Sequence, residues 1–404
     1  MHILMLSDVF FPRINGVSTS IQTFVHSFLH QGHKVTLIAP RYPYEVETEF
    51  EVIRIPSLRL PLDPEDRLMR LGAIKKLAPE LSRRQFDLIH IQTPFVAHYG
   101  GLYLGKKLGL KVVTSYHTFF EAYFEKYLTW IPSPWLRAFA RAVSRRQCNQ
   151  VDGVISPSQP MLEKLREYGI VTEAVVIGTG LRLDQFQVKN KNNFRLRHDI
   201  PAHAPLLLYV GRVAHEKNIA FLFDMFAKVL GGAPDARLLI AGEGPALVQL
   251  RRRARQMGFG QQILFTGYLE RTTELIACYH ASDVFVFASE TETQGLVLLE
   301  AMACRLPVVS TANMGTKDVL RHGQGCLVAP LERDAFAAEV LSIVTDPVKA
   351  GQLAESGPAY VQQWSTDAKA GEMLDFYRRL VPQEAAMTAA EARTKISPVG
   401  SSES

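Results

Sequence analysis

Two stretches carry residue types suited to an anionic, hydroxyl-rich ligand. The first is Gly211-Arg212-Val213-Ala214-His215-Glu216-Lys217-Asn218, which follows the apolar run Leu206–Val210 and opens a helical pattern. Glycine at 211 permits close backbone approach. Arg212 and Lys217 set two cations at a helix N-terminus, where the dipole already favours an anion. The combination suits a diphosphate; it also suits two solvated surface charges, and spacing alone does not separate these readings. The second stretch follows residues 283–288 and runs Glu290-Thr291-Glu292-Thr293-Gln294-Gly295-Leu296 into Val297-Leu298-Leu299-Glu300-Ala301-Met302-Ala303. Glu292 and Glu300 lie roughly 9–12 Å apart along a helix rising 1.5 Å per residue. That is too far to share a proton but suits two parts of one elongated ligand, because a carboxylate accepts hydrogen bonds from the vicinal diol of a ribose or sugar. Glu300 stands among Leu298, Leu299, Ala301 and Met302, so burying it demands a partner; a helix-face Glu reaching out to water is the alternative. Gly295 at the helix start would offer backbone N–H groups to a ligand oxygen.

The first half of the chain is less specific. Asn15-Gly16-Val17-Ser18 lies between the first apolar run and the first helical pattern, where a tight turn explains Gly16 as well as ligand approach does. It is not a GxGxxG, which disfavours dinucleotide binding. His117 follows the run Lys111–Tyr116, and a place at a strand C-terminus raises a lone His above an ordinary structural one. No Asp-x-Asp metal pair, GxxxxGK[ST], GxSxG or HExxH occurs.

These residues need a scaffold that delivers loops to one edge. Short Val/Ile/Leu-rich runs at 3–7, 34–39, 87–92, 111–116 and 153–156, then 206–210, 237–241, 262–266, 283–288 and 307–310, alternate with helical periods such as Ile21, Phe24, Val25 and Phe28. Alternation of this kind predicts parallel sheets covered by helices on both faces, with ligands at the strand C-terminal ends. The polar segment 187–204 reads as a linker. The predicted organisation is a Rossmann-like domain over 1–186, a second over 205–365, a helix at 366–383 returning to the first, and a disordered polar tail at 384–404, with the two sheets facing a central cleft.

The chain has 404 residues, 47% hydrophobic and 21% charged, so it is globular and too long for one core. Its four cysteines have no CxxC spacing and read as reduced core thiols. The net charge of +5 lies wholly within residues 1–185. The excess is too mild for a nucleic-acid binder but fits a half that meets an anionic surface. Neither a signal peptide nor a membrane-spanning run is visible, which predicts a cytoplasmic protein.

Taken together, Glu292-x7-Glu300 followed by Ala-Met-Ala, Gly211-Arg212-x4-Lys217-Asn218, Asn15-Gly16-Val17 and Tyr116-His117-Thr118 resemble the family-four retaining glycosyltransferases of the GT-B fold, from the N-terminus to about residue 380. Glu292-Thr-Gln-Gly295, Gln92-Thr-Pro-Phe95 and 117–123 look most like the bacterial diacylglycerol glucosyltransferases of that family. The resemblance implies that Arg212 and Lys217 neutralise a donor diphosphate, with Gly211 at their turn. It implies that Glu300 holds the nucleotide ribose, and that Glu292 and the backbone at Gln294, Gly295 and Leu296 meet the donor sugar. Gly16 would let the backbone approach the diphosphate, and His117 would contact the sugar from the opposing domain. His117, Arg212, Lys217 and Glu292 are the expected catalytic set, with no metal and no cofactor beyond the nucleotide sugar, expected to be UDP-glucose. One departure is Ile177-Gly178-Thr179-Gly180-Leu181-Arg182, where members usually read Ile-Pro-x-Gly-x-Asp.

An acceptor surface is also legible. Ser133-Pro134 caps a helical pattern that places Arg137, Arg141 and Arg145 on one stripe, with Arg146 beside them. Trp135, Phe139, Ala142 and Val143 lie on another side, and Trp130 precedes the pattern. Basic plus aromatic residues on one helix predict contact with an anionic membrane; a helix packed on the sheet with a solvated Arg face is the alternative. Arg67, Arg70, Lys75 and Lys76 form a second basic patch. The expected activity is transfer of a hexose to diacylglycerol or a related lipid by a peripheral enzyme on the inner face of the cell membrane, with no nucleic-acid partner. A mannosyl- or other hexosyltransferase acting on a glycolipid or polysaccharide is the rival, with a sugar-nucleotide epimerase or a non-catalytic nucleotide-sugar sensor beyond it.

Overall fold

The computed structural model describes residues 1–13, 15–44, 46–59, 67–117, 133–187 and 193–381. The chain forms two compact units. The first holds residues 1–157, 162–177 and the chain from 369 onward; the second holds 158–161 and 178–368.

The first unit is built on a seven-stranded sheet. Its strands are β1 (His2–Leu6), β2 (Lys34–Pro40), β3 (Glu51–Ile55), β6 (Leu88–Ile91), β7 (Lys111–Ser115), β8 (Gly153–Ser156) and β9 (Ala174–Val176). They run parallel in the order β3-β2-β1-β6-β7-β8-β9. An antiparallel pair, β4 (Ser57–Arg59) and β5 (Arg67–Met69), stands apart from this sheet. The second unit carries six parallel strands in the order β12-β11-β10-β13-β14-β15. These are β10 (Leu206–Val210), β11 (Arg237–Ala241), β12 (Ile263–Gly267), β13 (Val284–Phe287), β14 (Val308–Ser310) and β15 (Cys326–Val328).

A parallel sheet covered on both faces buries every residue of its central strands, which is why these appear as unbroken apolar runs. All five residues of β10, Leu-Leu-Leu-Tyr-Val, are buried. All ten apolar runs proved to be strands. Those that escaped the pattern are β3, β4, β5, β9 and β15; β3, β4, β5 and β9 keep partly exposed positions, and all but β3 are only three residues long, so they lack an apolar signature. Ile21, Phe24, Val25 and Phe28 form the buried stripe of the first helix, Gly16–His30.

The boundary between the units differs from the expected one. The chain leaves the first unit between Ile177 and Gly178, well before 187–204. That segment is not a plain linker where it is described. Phe194 is buried in the core of the second unit. Arg195 reaches the carbonyls of Ala281, Pro201 and Ala204 at 2.8, 3.1 and 2.9 Å and the Asp283 carboxylate at 2.7 Å. Arg195 there satisfies backbone carbonyls and Arg197 pairs with Glu274, and residues 188–192 lie outside the described set. Leu183 and Phe186 likewise belong to the second core. The expected tail, 384–404, also lies outside the described residues.

The last helix, Thr366–Leu380, completes the first unit's core. Ala370, Met373, Leu374, Phe376 and Tyr377 are buried there with Ile3, Met5, Phe28 and Val113. Gly153 in β8 leaves room for this helix, since a Cβ there would lie 2.7 Å from the Phe376 ring. Phe376→Ala should therefore cost about 3–5 kcal/mol. Amide hydrogen exchange should show the lost protection confined to the first unit.

Candidate functional site

In an open parallel sheet, ligands bind beyond the strand C-termini where the strand order reverses. In the second unit that point lies between β10 and β13, since β10 pairs with β11 on one side and β13 on the other. The two chemistry-bearing stretches follow these two strands. After β10, Gly211 leads to Arg212 and a 3-10 turn, His215–Lys217, before the helix Ile219–Val229. After β13, residues 288–295 lead into the helix Leu296–Ala303.

The loops meet through Lys217, whose Nζ donates to Glu292 Oε2 at 2.6 Å, with both side chains about four-fifths buried. The hydroxyls of Ser289 and Thr291 approach the Glu216 carbonyl at 3.5 and 3.4 Å. Arg212 is half exposed, and its guanidinium stands 3.9 Å from the Glu216 carboxylate. Burial, with the Glu292 and Glu216 carboxylates nearby, pushes the Tyr209 phenol upward, and its hydroxyl donates to the Arg212 carbonyl at 3.1 Å. The result is two ion pairs on adjoining loops, with the Arg212 side chain half exposed to solvent.

Glu300 is 1% exposed and takes the partners its apolar neighbours demand. Arg271 Nη2 donates to Oε1 at 2.6 Å and Tyr279 Oη to Oε2 at 2.8 Å. The carboxylate in turn raises Arg271, while burial and then Glu300 push the Tyr279 phenol well up. Each carboxylate oxygen keeps one further lone pair for a ligand hydroxyl. Gly295 starts this helix at φ +92, a left-handed conformation that glycine adopts without strain.

The expectation for Gln294 concerns its backbone. Its side chain is committed to protein: Oε1 accepts from the Thr179 N–H at 2.7 Å and Nε2 donates to the Thr179 carbonyl at 2.8 Å. Only its backbone is left for a ligand. A Cβ at position 178 would lie 2.7 Å from Gln294 Nε2, so glycine at this position leaves room for the clamp.

In the first unit the strand order reverses between β1 and β6. Gly16 opens the first helix, whose Asn15 cap accepts from Ser18 N–H and whose Asn15 N–H donates to Ser18 Oγ, both at 2.9 Å. Among the described residues a Cβ at Gly16 would meet no atom within 4 Å, so packing among them does not require glycine there. Asp8, just beyond β1, is buried; its carboxylate accepts from Thr93 Oγ1 at 2.7 Å and from Ala97 N–H at 3.1 Å. Burial pushes this carboxyl up to about 6 against those donors.

His117, beyond β7, donates from Nε2 to Gln92 Oε1 at 3.1 Å and borders a pocket beside Pro94, His98, Tyr116 and Gln147. Burial lowers His117 to about 4 and His90 to about 3. Both are therefore neutral near pH 7. Because their native values lie below the ordinary 6.5, the stability they contribute is complete above 6.5 and is lost as pH falls toward those native values.

On the helix Ser133–Cys148 the buried face is Leu136, Ala140, Ser144, Gln147 and Cys148. Trp135 and Phe139 are not on it: they are 74% and 56% exposed. Arg137, Arg141 and Arg145 are exposed on the adjoining stripe, with Arg141 over the Tyr168 ring at 5.6 Å. Trp130 lies outside the described residues.

Several site residues were invisible in sequence. Arg271 and Tyr279 sit in ordinary amphipathic surroundings, and only the demand for a partner to Glu300 pointed to them. Asp8 and His90 look like polar interruptions of a strand. The turn Gly242–Pro245 after β11 was readable as a Gly-x-Gly-Pro punctuation; its Glu243 carbonyl accepts from Val213 N–H at 2.8 Å and so holds the Arg212 loop.

Comparison with known proteins follows the same division. Residues 14–185 match the family model described as glycosyltransferase family 4, and residues 190–360 match that of glycosyl transferases group 1. The chain is 32% identical over 325 residues to an alpha-monoglucosyldiacylglycerol synthase of Streptococcus pneumoniae, spanning 78% of this chain and 71% of that one. It is 28% identical over 358 residues to a GDP-mannose-dependent alpha-mannosyltransferase of Mycolicibacterium smegmatis, spanning 85% and 88%. The fold matches sucrose-phosphate synthase from Thermosynechococcus elongatus with a TM-score of 0.75 at 23% identity, over 94% of this chain and 98% of that one. The chain belongs to the group 1 and family 4 glycosyltransferases of the GT-B fold. It is a hexosyltransferase.

Within the site, Arg271→Ala would leave the wholly buried Glu300 carboxylate with Tyr279 alone among these two donors. The expected cost is about 3 kcal/mol, read from chemical denaturation, with Arg271→Lys recovering part of it.

Proposed function

We propose that this enzyme transfers a hexose with retention from a nucleotide sugar, UDP-glucose, to diacylglycerol or a closely related membrane lipid. The observation that carries the donor half is the placement of Arg212 and Lys217, and of Glu292 and Glu300, on the segments that follow the two paired strands β10 and β13, with Lys217 joined to Glu292. Arg212 and Lys217 would take the donor diphosphate, with Lys217 shifting from Glu292 toward the phosphate oxygens. As the bond from the sugar to phosphate breaks, charge develops on the departing oxygen, and fixed cations there stabilise the transition state more than the ground state. Glu292, released from Lys217, would accept from sugar hydroxyls together with the backbone N–H groups at Gly295 and Leu296. Glu300 would receive the ribose on the lone pairs that Arg271 and Tyr279 leave. The acceptor hydroxyl would attack on the face the phosphate leaves, and that phosphate oxygen would take its proton. The chemistry needs no protein nucleophile.

Support for the lipid acceptor comes from the helix Ser133–Cys148. Exposing Trp135 and Phe139 to water is unfavourable, and an adjoining arginine stripe suits an interface of anionic headgroups over acyl chains. Among the described residues no helix is long and apolar enough to cross a membrane, so association would be peripheral. The similarity to a diacylglycerol-glycolipid synthase favours glucose and a lipid. The second reading, transfer of mannose from GDP-mannose to a glycolipid, is favoured by the similarity to a mannosyltransferase. Phosphate and ribose contacts serve both.

The deciding experiment presents labelled UDP-glucose, UDP-galactose, UDP-glucuronic acid or GDP-mannose with diacylglycerol in anionic vesicles. Label should enter the organic phase from UDP-glucose; label from GDP-mannose alone would select the second reading. Arg212→Ala and Lys217→Ala should each lower turnover on the order of 10²-fold, and unchanged rates in both would remove the diphosphate assignment. Trp135→Ser with Phe139→Ser, and separately Arg137→Glu with Arg141→Glu, should release the enzyme from sedimenting anionic vesicles while donor binding persists. Undiminished sedimentation in both would refute membrane contact through this helix.

A further inference from the structure

Beyond the site residues, the first unit holds a continuous line of buried polar side chains from its last helix to His117. Tyr377 Oη lies 2.6 Å from His90 Nδ1, and Ser115 Oγ lies 2.8 Å from His90 Nε2. Both ring nitrogens thus have a partner, which fixes the orientation of the imidazole. Gln92 Nε2 then lies 3.0 Å from Nδ1 and 3.3 Å from Nε2 of the same ring. Near-equal distances to both nitrogens would force a collision with Cε1 if the amide lay in the ring plane, so its N–H sits over the ring face. An N–H donor is attracted to a π face, whereas a carbonyl oxygen is repelled by it. The His90 ring therefore decides which way the Gln92 amide points, and Oε1 is left facing His117 Nε2 at 3.1 Å. A carbonyl oxygen only accepts, so His117 must carry its proton on Nε2. All four members are largely buried: His90 is 1%, Gln92 4%, Ser115 8% and Tyr377 0% exposed. Water competes little for these bonds.

We propose that Gln92 is a positioning residue that fixes His117 in its Nε2–H tautomer, that Tyr377 sets Gln92 through His90, and that Nδ1 of His117 is thereby kept as a hydrogen-bond acceptor for a substrate hydroxyl. The inference rests on the reading of His117 as substrate-facing and adds how that face is made. It gives the helix Thr366–Leu380 a role in the chemistry besides closing the core: the buried Tyr377 hydroxyl starts the chain of orientation. A lone acceptor of this kind discriminates between a hydroxyl hydrogen directed at it and an epimer whose hydroxyl points elsewhere.

The test uses the full chain with ¹⁵N-labelled histidine, the His117 signals being assigned by their loss in His117→Ala. In the parent protein His117 should show the Nε2–H pattern at pH 7. In Gln92→Leu the pattern should become that of mixed tautomers, with kcat falling about tenfold and the donor KM changing less. Tyr377→Phe removes one oxygen and keeps the ring in the core, so it serves if Gln92→Leu fails to fold. It should move the His90 and His117 signals together and lower kcat severalfold. An Nδ1–H pattern in the parent, or an unchanged pattern in the folded variants, overturns the relay whatever the activities. Full activity in His117→Ala overturns the substrate-facing part alone, and the spectra then still judge the relay.

Discussion

The second unit depends on the parallel pairing of β13 with β10. The register Leu207↔Val284 and Leu208↔Phe285 places the ends of two strands, far apart in sequence, side by side at the point where strand order reverses. Without it Lys217 would not meet Glu292 and would lose its carboxylate partner. The pairing is held by full burial of both strands, and burial of both faces is possible because helices cover each side of the sheet. Charge placement at the site is a consequence of hydrophobic packing some residues away from it.

Around this pairing the structure accommodates two costs. A carboxylate at 300 sits in an almost wholly apolar helix and is made tolerable by Arg271 and Tyr279, which come from one connection after β12. A buried glutamine at 294 is satisfied by the backbone N–H and carbonyl of one residue, Thr179. In each case a polar group is held rigidly because leaving it unpaired in a low-dielectric interior would be expensive. Rigidity gained in this way is useful at a site whose work is electrostatic, since donors already in place need no reorganisation when charge develops.

The first unit uses different means. Its polar groups at the strand ends are mostly buried and held by hydrogen bonds: Asp8 by Thr93 and Ala97, His90 by Tyr377 and Ser115, and His117 by Gln92. The two histidines are neutral near pH 7. Such a site favours hydrogen-bond geometry over charge. Two units of similar topology thus carry contrasting arrangements, with ion pairs beyond the strands of one and a buried hydrogen-bonded network beyond those of the other. The excess positive charge of the first half belongs instead to its surface, where the arginines of the helix Ser133–Cys148 stand beside exposed Trp135 and Phe139.

The sequence by itself determined the fold class, the central strands and the position of each motif just past a strand. It could do so because apolar runs and helical periods are local consequences of burial on a parallel sheet. It also determined that Glu300 needed a partner, though not which one. Tertiary structure alone decided the partners. Arg271 and Tyr279 meet Glu300, Thr179 meets Gln294, and Tyr377 meets His90 across most of the chain, because each contact depends on the order in which strands are assembled. The boundary at Ile177 was hidden for a related reason: Phe194 and Arg195 read as polar linker until the carbonyls they serve are in place. The exposure of Trp135 and Phe139 was likewise undecided by periodicity, since a helical wheel gives the angle between two faces but not which of them the sheet will cover.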